Sequence, residues 1–502
     1  MNKVLKGLVA VAATAAMAIA GVAGASTATA AENNYDITVP STDTHTYSVY
    51  QVFTGDLSNG TLSNIKAGHN FNTNNEKGKS AADAAAEIAQ NTSADTDNTA
   101  RLAAITPYVD LTATAFGEVS ARASLSAPAG YYLLKDKDAV TGDDAATLFI
   151  VQVNGPVTVN RKADKPSFEK KVQDVNDSTG DKSGWQDSAD YDVNDDVPFQ
   201  LTATLPSDAN DFAAYKTYKL VFHDNQSAGL TFKPETVVVK YEGTTLNTES
   251  YTLDQNPTDG HTFDITISNA KSVKDTDGAP ITVANGGKFT VEYKSTLNAN
   301  AEIGAAGNPN EASLEFSNNP NVGGEGNTGK TPTDKVIVFT YQLDINKTFN
   351  GGTPDDNDLP EFTLYKFDSA TNDYTTNVGK VGITKTADGK YTASFKRVDD
   401  GKYKLVETKT PAGFNTAADT TFEITADHDV TSIDPKLTSL KINSTDGDTT
   451  TGTVVADVVN QKGSNLPSTG GMGTTILYAA GAAIVLVAAF GIAFAVRRRN
   501  AR

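Results

Sequence analysis

Short segments in which polar and apolar residues alternate run through most of this 502-residue chain, and they constrain its fold more than any other feature. They are rich in Thr, Val, Tyr and Phe and are separated by Asn, Asp and Gly, which is the pattern of half-buried β-strands joined by turns. A helical pattern is found in the alanine-rich segment Ser80–Gln90. We therefore predict an all-β chain of β-sandwiches in series, with one short helix in the first third. The clearest predicted strands are Val197–Leu205, Lys335–Leu343, Glu361–Phe367, Lys390–Phe395 and Lys402–Glu407.

The two ends of the chain predict export and retention at the membrane. Two lysines precede the apolar segment Leu8–Ala25 and a run of small residues, which is typical of a secretory signal peptide over residues 1–31. The apolar stretch at residues 476–496 is followed by three arginines. A membrane-spanning helix needs about 20 residues, so this stretch is long enough, and the arginines are expected to stay on the cytoplasmic side.

A short motif, composed of Leu466, Pro467, Ser468, Thr469 and Gly470, lies before this apolar stretch. With the stretch and the arginines it resembles the LPXTG sorting signal of Gram-positive surface proteins, here at residues 465–502. The resemblance implies that a sortase transpeptidase cleaves the Thr469–Gly470 bond and passes the Thr469 carbonyl to an amine. We therefore expect a secreted protein that is retained in the membrane at first and then linked to peptidoglycan at the cell surface.

The chain is acidic and contains no cysteine, with a formal net charge of −19 at pH 7. Such a charge disfavours nucleic acid as a partner, because nucleic-acid binding needs basic patches. The absence of cysteine excludes disulfides and thiolate catalysis. The five histidines, His45, His69, His223, His261 and His428, form no HExxH motif. We expect no enzyme, no cofactor and no metal site; the acidic run at 355–358 lacks the EF-hand spacing and predicts a turn, with calcium as an open alternative.

Two polar segments divide the exported part of the chain. One spans residues 160–166, after a predicted closing strand at 148–159, and the other is a glycine-rich segment at 320–332. We therefore predict three domains, at residues 32–161, 163–320 and 335–461, with a glycine-rich linker at 321–334.

The third predicted domain carries motifs of a known family. Residues 403–414 read Tyr-Lys-Leu-Val-Glu-Thr-Lys-Thr-Pro-Ala-Gly-Phe and resemble the E-box of sortase-assembled pilins. The segments around Lys347 and Asn460 resemble the first and last strands of a CnaB-type domain. The whole chain is similar to a major fimbrial (pilus shaft) subunit, which implies immunoglobulin-like sandwiches of the CnaA/CnaB type. The resemblance also implies an isopeptide bond between Lys347 and Asn460, assisted by Glu407 as the catalytic acid.

The residues around Lys347 are consistent with this interpretation. Leu343, Ile345 and Lys347 share one strand face, because side chains alternate along a strand. The amine therefore points into an apolar core, where burial lowers the pKa of a lysine and leaves a nucleophilic amine. We expect Glu407 to donate a hydrogen bond to the Asn460 amide and to carry a proton to the departing ammonia.

The second predicted domain resembles the fimbrial isopeptide-forming D2 domain in its first strand, at 166–172, and its last, at 313–320. Alternation along these strands favours Lys170 over Lys171 and Asn318 over Asn319 as inward-facing residues. The predicted bond joins Lys170 to Asn318.

The catalytic acid of this second bond is predicted from the same alternation. Asp195 shares a face with Val193 and Val197, which makes it the candidate, and Asp196 remains the alternative. The opening segment of the first domain, Asn34–Phe53, contains no lysine, so we predict no such bond there.

A last motif concerns assembly. Residues 157–162, Val-Thr-Val-Asn-Arg-Lys, resemble the end of the pilin motif W-x-x-x-V-x-V-Y-P-K, with Asn-Arg in place of Tyr-Pro and no preceding Trp. The resemblance implies that Lys162 of one subunit accepts Thr469 of another, and Lys165 remains the alternative. We expect a structural pilus subunit that supports adhesion. Its expected partners are sortase, identical subunits, tip and base pilins, peptidoglycan, and a host glycan or matrix protein. The alternative is a monomeric wall-anchored adhesin.

Overall fold

The computed structural model describes residues 34–58, 61–92, 104–137, 144–159, 165–207, 212, 214–320 and 328–463. Their strands form three successive β-sandwiches, and one α-helix lies in the first of them. The prediction of an all-β chain with one short helix is confirmed. No helix within these ranges is long and apolar enough to span a membrane. The signal peptide, the sorting motif and the apolar stretch at 476–496 lie outside the described residues.

The first sandwich has sheet orders β5-β1-β8 and β3-β2-β6-β7, with β4 paired to β2. Ser80 caps its helix, because the Ser80 side chain accepts a hydrogen bond from the Asp83 amide at 3.2 Å. The elements are β1 (Asn34–Thr38), β2 (Thr46–Ser58), β3 (Thr61–Ala67), α1 (Ala81–Thr92), β4 (Gly117–Ser120), β5 (Ser124–Pro128), β6 (Gly130–Asp136), β7 (Leu148–Val153) and β8 (Val157–Thr158), with a 3₁₀ turn at Thr106–Tyr108. The closing strand predicted at 148–159 is thus divided into β7 and β8.

The second sandwich packs two large sheets around one aromatic-rich core, in which Phe199, Phe222 and Phe263 are fully buried. Its elements are β9 (Ser167–Asn176), β10 (Asp181–Gln186), β11 (Ser188–Asp190), β12 (Asp196–Thr204), β13 (Leu220–Gln226), β14 (Leu230–Tyr241), β15 (Thr244–Thr245), β16 (Thr252–Asp254), β17 (Phe263–Ile267), β18 (Lys288–Leu297), β19 (Asn308–Ser317), β20 (Thr328–Lys330) and β21 (Asp334–Phe339), with 3₁₀ turns at Thr248–Ser250 and Ala270–Ser272. The sheet orders are β10-β9-β12-β18-β14-β15 and β11-β21-β19-β13-β17-β16, and β20 pairs with β19.

The third sandwich has sheet orders β25-β26-β22-β31 and β24-β23-β27-β28-β29-β30. Its first and last strands, β22 and β31, are parallel neighbours. The strands are β22 (Tyr341–Asn350), β23 (Glu361–Asp368), β24 (Asp373–Gly382), β25 (Thr384–Lys385), β26 (Tyr391–Val398), β27 (Gly401–Lys409), β28 (Thr420–His428), β29 (Leu437–Ile442), β30 (Thr445–Asp446) and β31 (Thr453–Gln461). The acidic run at 355–358 forms a turn, in which the Asp358 amide donates to the Asp355 carbonyl at 2.9 Å.

The junction between the second and third sandwiches differs from the prediction. The strand predicted at 335–343 is interrupted at Thr340, and its first half, β21, pairs with β19 and β11 of the second sandwich. Val336 and Val338 pack into the core of the second sandwich, whereas Ile337 and Phe339 pack into that of the third. A strand buried on both faces is apolar throughout, which is why the sequence alone does not assign β21 to one domain. Part of the predicted linker also forms a strand, β20.

Candidate functional site

A buried lysine lies between the two sheets of the second sandwich. Lys170 on β9 is fully buried, and its Nζ lies 2.5 Å from Asp224 Oδ2 on β13 and 2.9 Å from the Tyr293 hydroxyl on β18. The Tyr293 hydroxyl donates to Asp224 Oδ2 at 2.6 Å and accepts from Asn310 Nδ2 on β19 at 2.9 Å. An amine, a carboxyl group and a carboxamide therefore meet around one phenol in the core.

The electrostatics of this cluster favour a reactive amine. Burial lowers the pKa of Lys170, because the charged ammonium loses its hydration, although the nearby Asp224 opposes this effect. Asn310 Oδ1 is buried without a hydrogen-bond partner among the described residues, so this amide oxygen lacks the donor that a buried polar atom normally has. The cluster, which we call the Lys170 site, brings together the groups needed for amine attack on an amide.

Asn318, the predicted partner of Lys170, lies elsewhere. It follows Asn310 by eight residues, which corresponds to about 26 Å along an extended strand. Asn318 is buried, but its Nδ2 donates to the Asp144 carbonyl at 3.2 Å, at the contact with the first sandwich. Strand alternation correctly selects the inward face, which Asn310 and Asn318 share. It does not select the position along the strand: Asn310 lies at the Lys170 site, whereas Asn318 lies at the contact with the first sandwich.

The predicted acids also lie away from Lys170. The Asp195 carboxylate lies close to those of Asp177, Asp192 and Asp399. Asp196 forms an ion pair with Lys233 at 2.7 Å. Burial raises the pKa of Asp195 to about 7, whereas the hydrogen bond from Lys233 lowers the pKa of Asp196.

The carboxylate that contacts Lys170 belongs to Asp224, which the sequence analysis missed. The sequence does contain an indication of Asp224. Leu220, Phe222 and Asp224 occupy every second position of one strand, so their side chains lie on the same inward face. The carboxyl group that lies at the Lys170 site is therefore that of Asp224, whereas Asp195 and Asp196 have the other partners given above.

A second cluster of the same kind lies in the third sandwich. Lys347 on β22 is 2% exposed, and its Nζ lies 3.3 Å from the Val458 carbonyl on the neighbouring strand β31. Asn460 lies two residues beyond Val458 on the same face of β31 and is fully buried. Asn460 Nδ2 donates to both carboxylate oxygens of Glu407, at 3.0 and 2.9 Å, and to the Asn415 carbonyl at 2.6 Å.

The amine and the amide of this cluster, which we call the Lys347 site, resemble those of the Lys170 site. Burial lowers the pKa of Lys347 to about 8, and Glu407 acts in the opposite direction. Asn460 Oδ1 is buried and, within the part of the chain that the structure describes, has no hydrogen-bond partner. The residues that the family motifs indicate, Lys347, Glu407 and Asn460, thus lie together in the core.

A third buried lysine joins the second and third sandwiches by ion pairs. Lys366 Nζ on β23 lies 2.5 Å from Asp399 Oδ1 of its own sandwich, and 2.7 Å and 3.2 Å from Asp192 Oδ2 and Asp177 Oδ2 of the second. Burial acts against its charge, but the Asp399 and Asp192 carboxylates outweigh burial and raise the pKa of Lys366. This amine is therefore held as a cation at the junction, in contrast to the amines of the Lys170 and Lys347 sites.

Because several carboxyl groups around this junction have raised pKa values, we expect the free energy of unfolding to decrease as the pH rises. Burial raises the pKa of Asp174 and Asp195 to about 7 and that of Asp400 to about 8, well above the roughly 3.9 of an unfolded aspartate. Between these values the folded state binds more protons than the unfolded state, so raising the pH favours unfolding. We expect the melting temperature to decrease from about pH 5 to about pH 8, and Asp195→Asn to reduce this decrease.

Asp196→Asn is the matched control for this prediction. Its carboxyl has a lowered pKa, so it is ionised in both the folded and unfolded states over this pH range and should not change the slope. Differential scanning calorimetry across the pH range measures the effect. Equal slopes for the two variants would contradict the assignment to Asp195.

Parts of the chain match known protein families and a known surface protein. Residues 357–437 match the family model described as the SpaA prealbumin-like fold domain, and residues 458–501 match the LPXTG cell wall anchor motif. The trypsin-resistant surface T6 protein of Streptococcus pyogenes serotype M6 is 27% identical over 416 residues, which cover 68% of this chain and 70% of that protein.

The solved structures that align with most of the chain include two pilins. The T6 backbone pilin of S. pyogenes serotype M6 is 19% identical, covers 86% of this chain and 99% of its own, and has a TM-score of 0.49. The major pilin SpaD of Corynebacterium diphtheriae is 17% identical, covers 86% and 98%, and has a TM-score of 0.44.

The anchor motif and the tandem sandwiches define a cell-wall-anchored surface protein of Gram-positive bacteria. Within that class, the chain is similar to a streptococcal trypsin-resistant surface protein, and its third sandwich contains the segment that matches the SpaA prealbumin-like fold domain.

Proposed function

We propose that this chain is the shaft subunit of a covalent, sortase-assembled pilus, stabilised by one internal Lys–Asn isopeptide bond in each of its last two sandwiches. One observation carries the proposal: each of these sandwiches buries a lysine amine together with a carboxyl group and an asparagine whose amide oxygen lacks a partner among the described residues. Lysines are seldom fully buried unless they are paired. Three carboxylates surround Lys366, whereas Lys170 has one, Asp224, within ion-pair distance, and Lys347 has none among the described residues. A covalent bond removes the charge and explains the burial.

The bond forms in one step of self-modification at each site. The neutral lysine Nζ attacks the asparagine Cγ, a new C–N bond forms, and the bond from Cγ to Nδ2 breaks. The neighbouring carboxyl group relays a proton from the attacking amine to the leaving nitrogen, which departs as ammonia. Lys347, Glu407 and Asn460 take these roles in the third sandwich, and Lys170, Asp224 and Asn310 take them in the second.

The positions of these bonds suit a fibre under tension. Lys347 lies on the first strand of the third sandwich and Asn460 on its last strand. A bond between them carries force from one end of the sandwich to the other without loading the hydrogen bonds of the sheets. The domains proposed at 32–161, 163–320 and 335–461 then act as rigid modules, with β21 shared between the last two.

Polymerisation would join Thr469 of one subunit to Lys162 of another, with sortase as the enzyme. Both residues lie outside the described ranges, whereas Lys165 is described and exposed. Tip and base pilins, peptidoglycan, and a host glycan or matrix protein complete the proposed set of partners.

The test is a denaturing gel of surface proteins from cells that express wild-type, Lys162→Ala or Lys165→Ala chains. We expect a ladder of covalent multimers from wild type, a collapse to monomer with Lys162→Ala, and an unchanged ladder with the matched control Lys165→Ala. Loss of the ladder in Lys165→Ala alone would move the acceptor to Lys165. A wild-type chain without a ladder would favour the monomeric adhesin.

A further inference from the structure

Two histidines and two aspartates meet on the outer face of the second sandwich. His223 on β13 and Asp264 on β17 are directly paired in the sheet. Asp259 and His261 lie in the turn that precedes β17. His223 and His261 are far apart along the chain and belong to no HExxH motif, so the sequence pattern does not indicate this cluster. Here their rings lie 4.6 Å apart.

The four side chains present their ligand atoms to one point. His223 Nδ1 lies 2.8 Å from Asp264 Oδ1 and 3.7 Å from Asp259 Oδ2. His261 Nδ1 lies 3.0 Å from Asp259 Oδ2 and 3.3 Å from Asp264 Oδ1. All four atoms lie within 4.8 Å of one another. In a tetrahedral zinc site with bonds of about 2.0 Å, neighbouring ligand atoms are about 3.3 Å apart, and the four measured distances lie on either side of this value.

The surroundings of the histidines are those of metal ligands. His223 Nε2, on the far side of its ring, faces Glu315 Oε2 at 3.5 Å, and Glu315 is paired with Lys219 at 3.4 Å. His223 Nε2 makes no hydrogen bond among the described residues, but a carboxylate on this side of the ring would hold the proton on Nε2 when a metal binds and leave Nδ1 free to be the ligand. His261 Nδ1 is buried and makes no hydrogen bond within the described residues, although Asp259 is close.

We propose that His223, His261, Asp259 and Asp264 bind one Zn²⁺ ion. Imidazole ligands favour zinc over calcium and magnesium, which prefer six or more oxygen ligands. Asp259 is 44% exposed and gives the ion access from solvent, while the side chain of His223 is 7% exposed and forms the floor of the site. The ion would tie the turn before β17 to the sheet. The site lies on the face of β13 opposite Asp224, so it does not depend on the proposed isopeptide chemistry.

The test is calorimetric titration of the chelator-treated full chain with ZnCl₂. We expect one saturable equivalent for wild type, binding at least about tenfold weaker in His261→Ala, and unchanged binding in His69→Ala, which removes an exposed histidine of the first sandwich. Zinc should also raise the melting temperature of the wild-type chain but not of His261→Ala, and EDTA should reverse the rise.

Two further variants keep the proposal falsifiable if His261→Ala misfolds. Asp259→Asn changes an exposed ligand and should weaken binding, and Glu315→Gln, a positioning residue, should weaken it about 10- to 100-fold. A chain that takes up no saturable zinc, or that binds zinc equally in wild type, His261→Ala and Asp259→Asn, would overturn the proposal. The cluster would then be a network of His–Asp ion pairs.

Discussion

Replacing Asn310 with alanine should leave the second sandwich without its isopeptide bond, whereas replacing Asn318 should not. Asn310 shares the Tyr293 hydroxyl with Lys170, and Asn318 lies about 26 Å further along the strand direction. Each bond releases one ammonia, so intact mass spectrometry distinguishes the two variants directly. The mass of Asn310→Ala should exceed, by one ammonia, the mass calculated for the same variant with both bonds. The mass of Asn318→Ala should equal the mass calculated for that variant with both bonds.

The same substitution should cost the second sandwich about 5 kcal/mol of stability. Closing a loop of more than 100 residues restricts the unfolded chain by about that amount, by analogy with disulfide loops. Asn310→Ala keeps the ion pair between Lys170 and Asp224, so it leaves no unpaired buried charge. Asp224→Ala is a poorer test, because it removes the partner of a buried lysine and adds a cost of about 3–5 kcal/mol unrelated to the bond.

Asn318→Ala is the matched control, because it removes a buried asparagine that lies on the same face as Asn310, directly after the end of β19. It loses the hydrogen bond to Asp144 but not the crosslink, so the two variants separate the effect of the bond from that of a cavity. A missing bond in Asn318→Ala together with a normal bond in Asn310→Ala would restore the pairing predicted from sequence.

Replacing Glu407 with glutamine should prevent the bond in the third sandwich while preserving its packing. The glutamine carbonyl can still accept the hydrogen bond from Asn460 Nδ2, but the side chain cannot relay a proton to the leaving nitrogen. The mass of Glu407→Gln should exceed, by one ammonia, the mass calculated for this variant with both bonds. We also expect the free energy of unfolding of the third sandwich to decrease by about 5 kcal/mol. Limited proteolysis should then cut this sandwich at temperatures at which the wild-type chain is resistant.

Glu423→Gln, on the neighbouring strand β28, is the control for this substitution. Its side chain is exposed, so the same change of charge should leave both bonds intact. A normal bond in Glu407→Gln would show that the carboxyl group is not needed for proton transfer and would remove Glu407 from the mechanism.

The two proposed crosslinking sites differ in how much of each the sequence could predict. In the third sandwich the motif order indicates Lys347, Glu407 and Asn460, and the first and last strands are adjacent in one sheet. A short motif on each of two neighbouring strands is then enough to identify the cluster. In the second sandwich, Lys170 faces Asp224 and Asn310 from the opposite sheet. That contact depends on how two sheets are stacked, which no local pattern specifies.

What the sequence by itself determined is therefore the local part of this protein: the strands, the face on which each side chain lies, the helix at Ser80–Gln90 and the anchor motif. Alternation with a period of two is a property of the extended backbone, so it can be seen in any single strand. Only the tertiary structure places Asn310 rather than Asn318 beside Lys170, adds Asp224 to the same site, divides β21 between two cores, and brings His223 close to His261. Each of these is a contact between segments distant in sequence, and its position is set by sheet register and sheet stacking.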